Sequence, residues 1–219
     1  MSFQKLLQPS IDYAEAGFPV TEIIAGYWRS GEEQFQDWPD SAKTFLKKGR
    51  APREGEIFRN PNLATTYRAI GRSGRNAFYK GEIAQQIVDF SERNGGYFSM
   101  QDFADHSSQW VDPVSTNYRG YDVWELPPNG QGIAALEMMN VLEGFDVKKL
   151  GHNSADLIHV FLEAKKLAFA DRAKFYSDPD FNKLPITELI SKEYGVRQRA
   201  RIDMQKATTD VDPGDPVIG

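Results

Sequence analysis

One stretch constrains the fold of this chain more than any other. It runs from His159 through Glu163, Ala164, Lys165, Ala168 and Asp171 to Arg172, and Asp178 and Pro179 close it. Its apolar residues return at helical spacing, which predicts one long helix over about Ser154 to Tyr176. Around it most of the chain also reads as helix. The segment from Phe3 to Ala16 sets Phe3, Leu6, Leu7, Ile11 and Ala14 on one face and stops at Gly17 and Pro19. Thr21 is placed to cap a second helix reaching about Arg29. Residues 31–58 read as irregular, punctuated by Pro39, Gly49, Pro52 and Gly55. Asn60 and Pro61 open a third helix carrying Leu63, Tyr67 and Ile70, because a proline at the first helical position gives up an N–H that had no partner there. A fourth helix runs from about Gly81 to Arg93 with a stripe of Ile83, Ile87 and Phe90, and Asn94, Gly95 and Gly96 stop it. Ser99 and Asp102 have the spacing of a capping box.

One stretch carries a strand signal. Val114, Thr116 and Tyr118 alternate with polar residues, Arg119 and Gly120 make a turn, and the alternation resumes from Tyr121 to Leu126, which predicts an antiparallel hairpin. Further helices are predicted over about Ile133 to Leu142 and Lys192 to Asp203. No internal repeat is present. The fold class is therefore α+β and helix-rich, with about half helix and less than about 15% strand. A single domain is expected over residues 1–207. The remaining residues, 208–219, hold three acids, two prolines and two glycines, and read as a flexible arm.

Composition removes several function classes. Of 219 residues, 40% are hydrophobic and 26% charged, as in a folded globular protein. The net charge of −5 argues against a nucleic-acid partner, which needs a basic face. There is no cysteine, so disulfides, thiolate nucleophiles and cysteine-ligated zinc are excluded. No apolar run approaches the roughly 20 residues that cross a bilayer, and the first residues lack the basic-then-apolar pattern of a signal peptide. The compartment stays open: cytoplasmic, or periplasmic or extracellular if the chain is cut from a secreted precursor.

Several segments together resemble the large subunit of the gamma-glutamyltransferases, which are N-terminal-nucleophile hydrolases. The run from His159 to Arg172 followed by Asp178 and Pro179 is one. Asn60 to Thr66 is similar to the family's Asn-Pro-x-Leu-Ala-x-Thr helix start, and Ala77 to Ala84 to its Phe-Tyr-x-Gly segment. Asn94 to Gly96 with Gln101 to Phe103, Tyr118 to Tyr121, and Pro127 to Gly132 resemble its Gly-Gly element, its hairpin and its Pro-Pro-x-x-x-Gly loop. The resemblance implies a four-layer αββα sandwich, of which this chain supplies an outer helical layer and one edge hairpin. It implies gamma-glutamyl transfer to amino acids or water, including glutathione hydrolysis, through an acyl-enzyme on a threonine, with no metal or organic cofactor. It also implies a partner, the small subunit that carries this threonine. The arginine segment that holds the substrate's alpha-carboxylate and the nucleophile itself find no match, so no catalytic residue is assigned and the chain alone is expected to be inactive.

Thr208 and Thr209 are not taken as the nucleophile, because Pro213 and Pro216 follow and forbid a central strand there. His159 and Glu163, four apart, share a helix face. They could form an acid–base pair, a weak metal set with His152, or a structural pair on a charged helix face, and the structural assignment is the one adopted. Asp171 and Arg172, with Asp178 beyond, are read as a salt-bridged corner, the alternative being a contact across a subunit interface. The loop Asn129, Gly130, Gln131 and Gly132 lies ahead of a helix and has the raw material of an anion site, but it lacks the spacing of a known phosphate loop, and a plain turn is the reading its residues favour. By the resemblance it faces the subunit junction and would line the active site from this side. A different class of function is a non-catalytic helical module that self-associates, as a homodimer, through helix faces left uncovered.

Overall fold

The computed structural model describes residues 1–216. The contacts divide the chain into two compact units, Met1–Ser108 and Gln109–Gly219. Among the described residues no sheet has strands in both units, and residues 106–113 carry no helix or strand. Helices hold more than half of the described residues and strands few, in keeping with an α+β, helix-rich chain.

The first unit runs α1 (Phe3–Ala16), β1 (Phe18–Pro19), α2 (Glu22–Ser30), α3 (Glu32–Gln36), α4 (Pro39–Phe45), β2 (Ile57–Phe58), α5 (Pro61–Ser73), α6 (Arg75–Tyr79), α7 (Glu82–Arg93) and α8 (Met100–Asp105). Helix α1 packs on α5 through Ile11, Ala14 and Ala64, with Leu7 and Tyr67 alongside. Phe3 and Leu6, predicted to join that face, are 51% and 56% exposed, because the buried stripe is only as wide as the helix that covers it. The buried row of α7 is Ala84, Val88 and Ser91 rather than the predicted stripe, and Phe90 is exposed. The stretch read as irregular holds α3 and α4; Pro39 starts α4 instead of breaking it. Thr21 precedes α2 but makes no side-chain cap bond. Two other caps form as read. The Asn60 side chain accepts the Leu63 N–H at 3.0 Å, and Ser99 and Asp102 exchange reciprocal bonds of 3.3 and 2.8 Å.

The second unit opens with the hairpin β3 (Val114–Tyr118) and β4 (Tyr121–Glu125), in register from Val114 opposite Glu125 to Tyr118 opposite Tyr121. Arg119 and Gly120 both take positive φ, 53° and 90°, as a two-residue hairpin turn requires. Then follow α9 (Ile133–Leu142), α10 (Val147–Leu150), α11 (Ala155–Phe175), α12 (Ile186–Leu189) and α13 (Lys192–Arg199). Helix α11 is the predicted long helix, capped by Ser154, whose Oγ accepts the Leu157 N–H at 3.0 Å. Helix α13 ends at Arg199, short of the predicted Asp203.

Two apolar clusters hold this unit. Ile133, Leu136, Leu189 and Tyr194 form one, and Val141, Leu142, Val160 and Ala164 the other. Each fully buried aliphatic side chain contributes about 1.5–3 kcal/mol, so the two inward rows of α9 anchor the unit. Gly195 lets α13 lie directly on α9: a Cβ there would come within 2.7 Å of the Asn140 Cβ and 2.9 Å of its carbonyl carbon. Backbone on one side and a buried side chain on the other leave no room to relax. Gly195→Ala is expected to destabilise this unit by about 1–3 kcal/mol, read as a lowered urea midpoint; an unchanged midpoint would mean that the two helices can part without loss.

Candidate functional site

Helix α9 is apolar apart from two residues one turn apart, Glu137 and Asn140, and both point inward, 4% and 3% exposed. Asn140 accepts from the Thr116 hydroxyl at 2.6 Å and donates to the Ile190 carbonyl at 2.7 Å, tying the hairpin to the start of α13. Glu137 accepts the Tyr176 hydroxyl at 2.5 Å; burial and, against the Tyr176 bond, the Asp171 charge push its carboxyl up to about 8. Asp171, on α11, is fully buried. Its Oδ2 accepts from the Tyr194 hydroxyl at 2.7 Å and from Gln198 Nε2 at 2.6 Å, and its Oδ1 accepts the Gly214 N–H at 2.6 Å. Helices α9, α11 and α13 thus meet at two carboxyl groups.

Above this centre lies an open concavity of about 550 Å³ lined by Asn129, Gly130, Gln131, Arg172, Ala173 and Tyr176. The Arg172 guanidinium donates to the Gln131 side chain and lies 4.6 Å over the Phe169 ring. The lining is rich in donors: an arginine, two side-chain amides and loop N–H groups ahead of α9. Its one hydroxyl belongs to Tyr176, which is donated to Glu137 and whose pKa is driven up by burial and then by the Glu137 carboxyl. Such a surface can hold and orient a carbonyl or carboxylate group, and it offers no activated nucleophile.

Residues 208–216, the described part of the predicted arm, lie along α11 as a strap with two fastenings. At one end, the Thr208 N–H points at Glu163 at 3.3 Å, while Lys166 bonds both Glu163 and the Thr208 carbonyl, at 2.6 and 2.7 Å. Burial pushes Glu163 up, but the bonds from Lys166 and Thr208 outweigh it and leave the carboxyl below its ordinary range. At the other end, Gly214 meets Asp171, Arg201 donates to the Asp212 carbonyl at 2.6 Å, Arg197 donates to the Asp215 carbonyl at 3.1 Å, and Pro216 is fully buried. Gly214 has to be a glycine, since a Cβ would collide with the Tyr194 hydroxyl and Gln198. Residues 217–219 lie outside the described residues.

The residues singled out from sequence are distributed differently from the pairings considered. His159 does not bond Glu163; its Nε2 is 2.8 Å from the Asp203 carbonyl, and Glu163 serves the strap. His152 lines a separate apolar groove with Lys148 and Phe161. The salt-bridged corner does not form. Asp171 takes neutral donors, Arg172 turns to Gln131 and Phe169, and Asp178 accepts the Asp180 N–H at 2.9 Å. Thr208 is held by its own peptide groups. The loop Asn129, Gly130, Gln131 and Gly132 does border the concavity, Gly132 being packed against Glu125. Glu137, Tyr194, Gln198 and Gly214 escaped the sequence reading. Of these only Glu137 left a signal, a lone acid inside an apolar helix.

The gamma-glutamyltranspeptidase profile matches residues 1–216. The chain is 39% identical over 194 residues to the glutathione hydrolase-like YwrD proenzyme of Bacillus subtilis (strain 168), covering 89% of this chain and 37% of that protein. It is 36% identical over 218 residues to the glutathione hydrolase proenzyme of Escherichia coli (strain K12), covering 98% of this chain and 38% of that protein. The chain thus spans little more than a third of the length of these curated relatives. Among solved structures, Helicobacter pylori gamma-glutamyltranspeptidase superposes with a TM-score of 0.86 at 31% identity, over 98% of this chain and 62% of that one. A cephalosporin acylase from Bacillus halodurans superposes with a TM-score of 0.86 at 40% identity, over 99% of this chain and 41% of that one. On this profile match, and on a fold shared across nearly the whole chain, the protein belongs to the gamma-glutamyltranspeptidase family of N-terminal-nucleophile hydrolases.

Proposed function

We propose that this chain is a large-subunit segment of a gamma-glutamyl-transferring enzyme and forms one wall of its active site without supplying the nucleophile. The observation that carries this is the superposition on H. pylori gamma-glutamyltranspeptidase over 98% of the chain. It supplies an outer helical layer and the edge hairpin of an αββα sandwich. A small-subunit partner brings the threonine, which attacks the gamma-glutamyl amide of glutathione or a related compound, and the acyl group passes to an amino acid or to water. The wall this chain contributes is the Asn129–Gly132 loop with Arg172 and Tyr176. Its donors suit the carbonyl and carboxylate groups of such a substrate. His159, Glu163, Asp171 and Arg172 act structurally, by the bonds described above. No helix among the described residues is long and apolar enough to cross a membrane.

The test is release of a chromogenic amine from a gamma-glutamyl anilide, by the chain alone and with the C-terminal segment of a relative such as the E. coli protein added. Activity in the mixture alone is the expected result, and turnover by the chain alone would overturn the proposal. The acylase relatives favour a second acyl class, since the B. halodurans cephalosporin acylase is the more identical of the two structures, at 40%. An acylated cephalosporin hydrolysed in place of the anilide would select that reading.

A further inference from the structure

Helix α11 is apolar on two sides. Its inner row, Val160, Ala164, Leu167 and Ala168, is buried, as are Glu163 and Asp171. Round the other side, Ile158, Phe161, Leu162 and Phe169 form a second stripe, each between 38% and 50% exposed. By helical geometry these four share an arc of about 100° with Lys165 and Arg172. A helix on a protein surface keeps one polar side, and a helix that is apolar all round is a buried one. The stripe also joins two hollows about 28 Å apart along the helix. At its start Leu157 and Phe161 line the apolar groove with Tyr118, Leu142 and Val147, and at its end Arg172, Ala173 and Tyr176 line the concavity.

We propose that this stripe is the docking surface for the body that carries the nucleophile, and that it seats an apolar surface with a carboxylate opposite Lys165. The identity of that body rests on the gamma-glutamyl reading above. Arg172 belongs both to the stripe and to the concavity, so whatever brings a threonine to the concavity stands over this side of α11. There is also enough protein to cover it. The chain covers 37% and 38% of two curated relatives, so in them more residues lie outside the matched stretch than in it.

Charge separates this occupant from a second copy of the chain. Lys165 Nζ and Arg172 Cζ lie 5.2 and 4.6 Å from the centre of the Phe169 ring, and Lys148 and His152 edge the groove. The acids of α11 stand off the stripe. Glu163 and Asp171 are buried, and Asp156 is about half a turn round from Ile158. A two-fold contact sets one patch against itself. Two such stripes face to face would enclose two lysines and two arginines with no acid of α11 between them. Like charges set across an interface cost affinity, and opposite charges there steer the partners together. The stripe therefore fits an acid-bearing apolar surface and opposes its own image.

Sedimentation velocity tests the surface without an enzymatic readout. The intact chain is run alone, and co-produced with the C-terminal segment of the E. coli relative, with the Kd read from a dilution series. The chain alone is expected to sediment as a monomer and the mixture as a one-to-one complex. Leu162→Arg puts a charge into the middle of the stripe and is expected to raise the Kd about thirtyfold or more, as loss of a central apolar anchor does. Lys165→Glu is expected to raise it about tenfold. Lys174→Glu makes the same charge change about half a turn round from Lys165 and is expected to leave the Kd unchanged. All three side chains are exposed, so far-ultraviolet circular dichroism should match the wild type. A complex that Leu162→Arg and Lys165→Glu leave equally tight overturns the docking surface. So does the absence of any complex, and so does a dimer of the chain alone that Leu162→Arg dissolves, since the occupant would then be a second copy. The two proposals fail separately. A complex sensitive to the stripe variants that leaves the gamma-glutamyl anilide intact overturns only the gamma-glutamyl reading, and an active complex indifferent to them overturns only the docking surface.

Discussion

Asp171→Ala is expected to cost the Gln109–Gly219 unit about 3–6 kcal/mol, most of what holds a domain of this size together. Three donors end on this carboxylate at 2.7 Å or less, from Tyr194, Gln198 and Gly214. The residue is fully buried, so water cannot replace it without opening the helices. Each buried donor left without an acceptor costs about 1–3 kcal/mol, against a total domain stability of about 5–15 kcal/mol. The measurement is urea unfolding at pH 6.5 followed by near-ultraviolet circular dichroism, where Tyr194 reports loss of packing. Asp171→Asn, which keeps one acceptor but turns an amide toward donors, is expected to recover only part of the loss. A cost below about 1 kcal/mol for the alanine variant would show that the three donors have other acceptors within reach.

The second large effect is a change in how stability depends on pH. Glu137 is raised from 4.5 to about 8 in the folded chain, first by burial. The native state therefore keeps a proton that the unfolded chain has already released. The stabilisation from this group is complete below the unfolded value, declines by about 1.4 kcal/mol per pH unit above it, and is gone once pH passes the folded value. Glu143 and Glu163, held low chiefly by the bonds from Lys192, Lys166 and Thr208, act in the opposite sense and lose their contribution as pH falls. Glu137→Gln removes the first slope only. Thermal unfolding at pH 5.5, 7 and 8.5 is expected to show the variant level with or below the wild type at the lowest pH and a few kcal/mol above it at the highest. Parallel curves would mean that Glu137 keeps an ordinary carboxyl pKa in the folded state.

What could be read from sequence here is what is decided within a few residues. Asn60 with Pro61, Ser99 with Asp102, and Arg119 with Gly120 each make their structure from neighbours, and the long helix declares itself by its own period. The loop at Asn129–Gly132 was legible for the same reason, as glycines and an asparagine between a strand and a helix. The polar centre was not. Glu137 meets Tyr176 across more than thirty residues, and Asp171 meets Gly214 across more than forty. Arg172 was assigned to its neighbours Asp171 and Asp178, but its partner is Gln131, on a distant loop. Phe3, Leu6 and Phe90 failed in a related way. Helical spacing tells which residues share a face but not how much of that face another element covers. The strap misled most of all, since acids, prolines and glycines read as flexible whether or not arginines and buried carboxylates lie in wait for their backbone.

The strap also has a mechanical sense. Thr208 is fastened near Glu163 and Gly214 near Asp171, so strap and helix run the same way, and their attachment points come in the same order along both. A tug arriving from beyond residue 216 would load the Asp171 fastening and the Arg197 and Arg201 bonds first, and would reach Glu163 and Lys166 only after these had yielded. Tension in the chain would thus be felt at the buried Asp171 carboxylate while the hairpin, fastened elsewhere through Asn140, stayed slack.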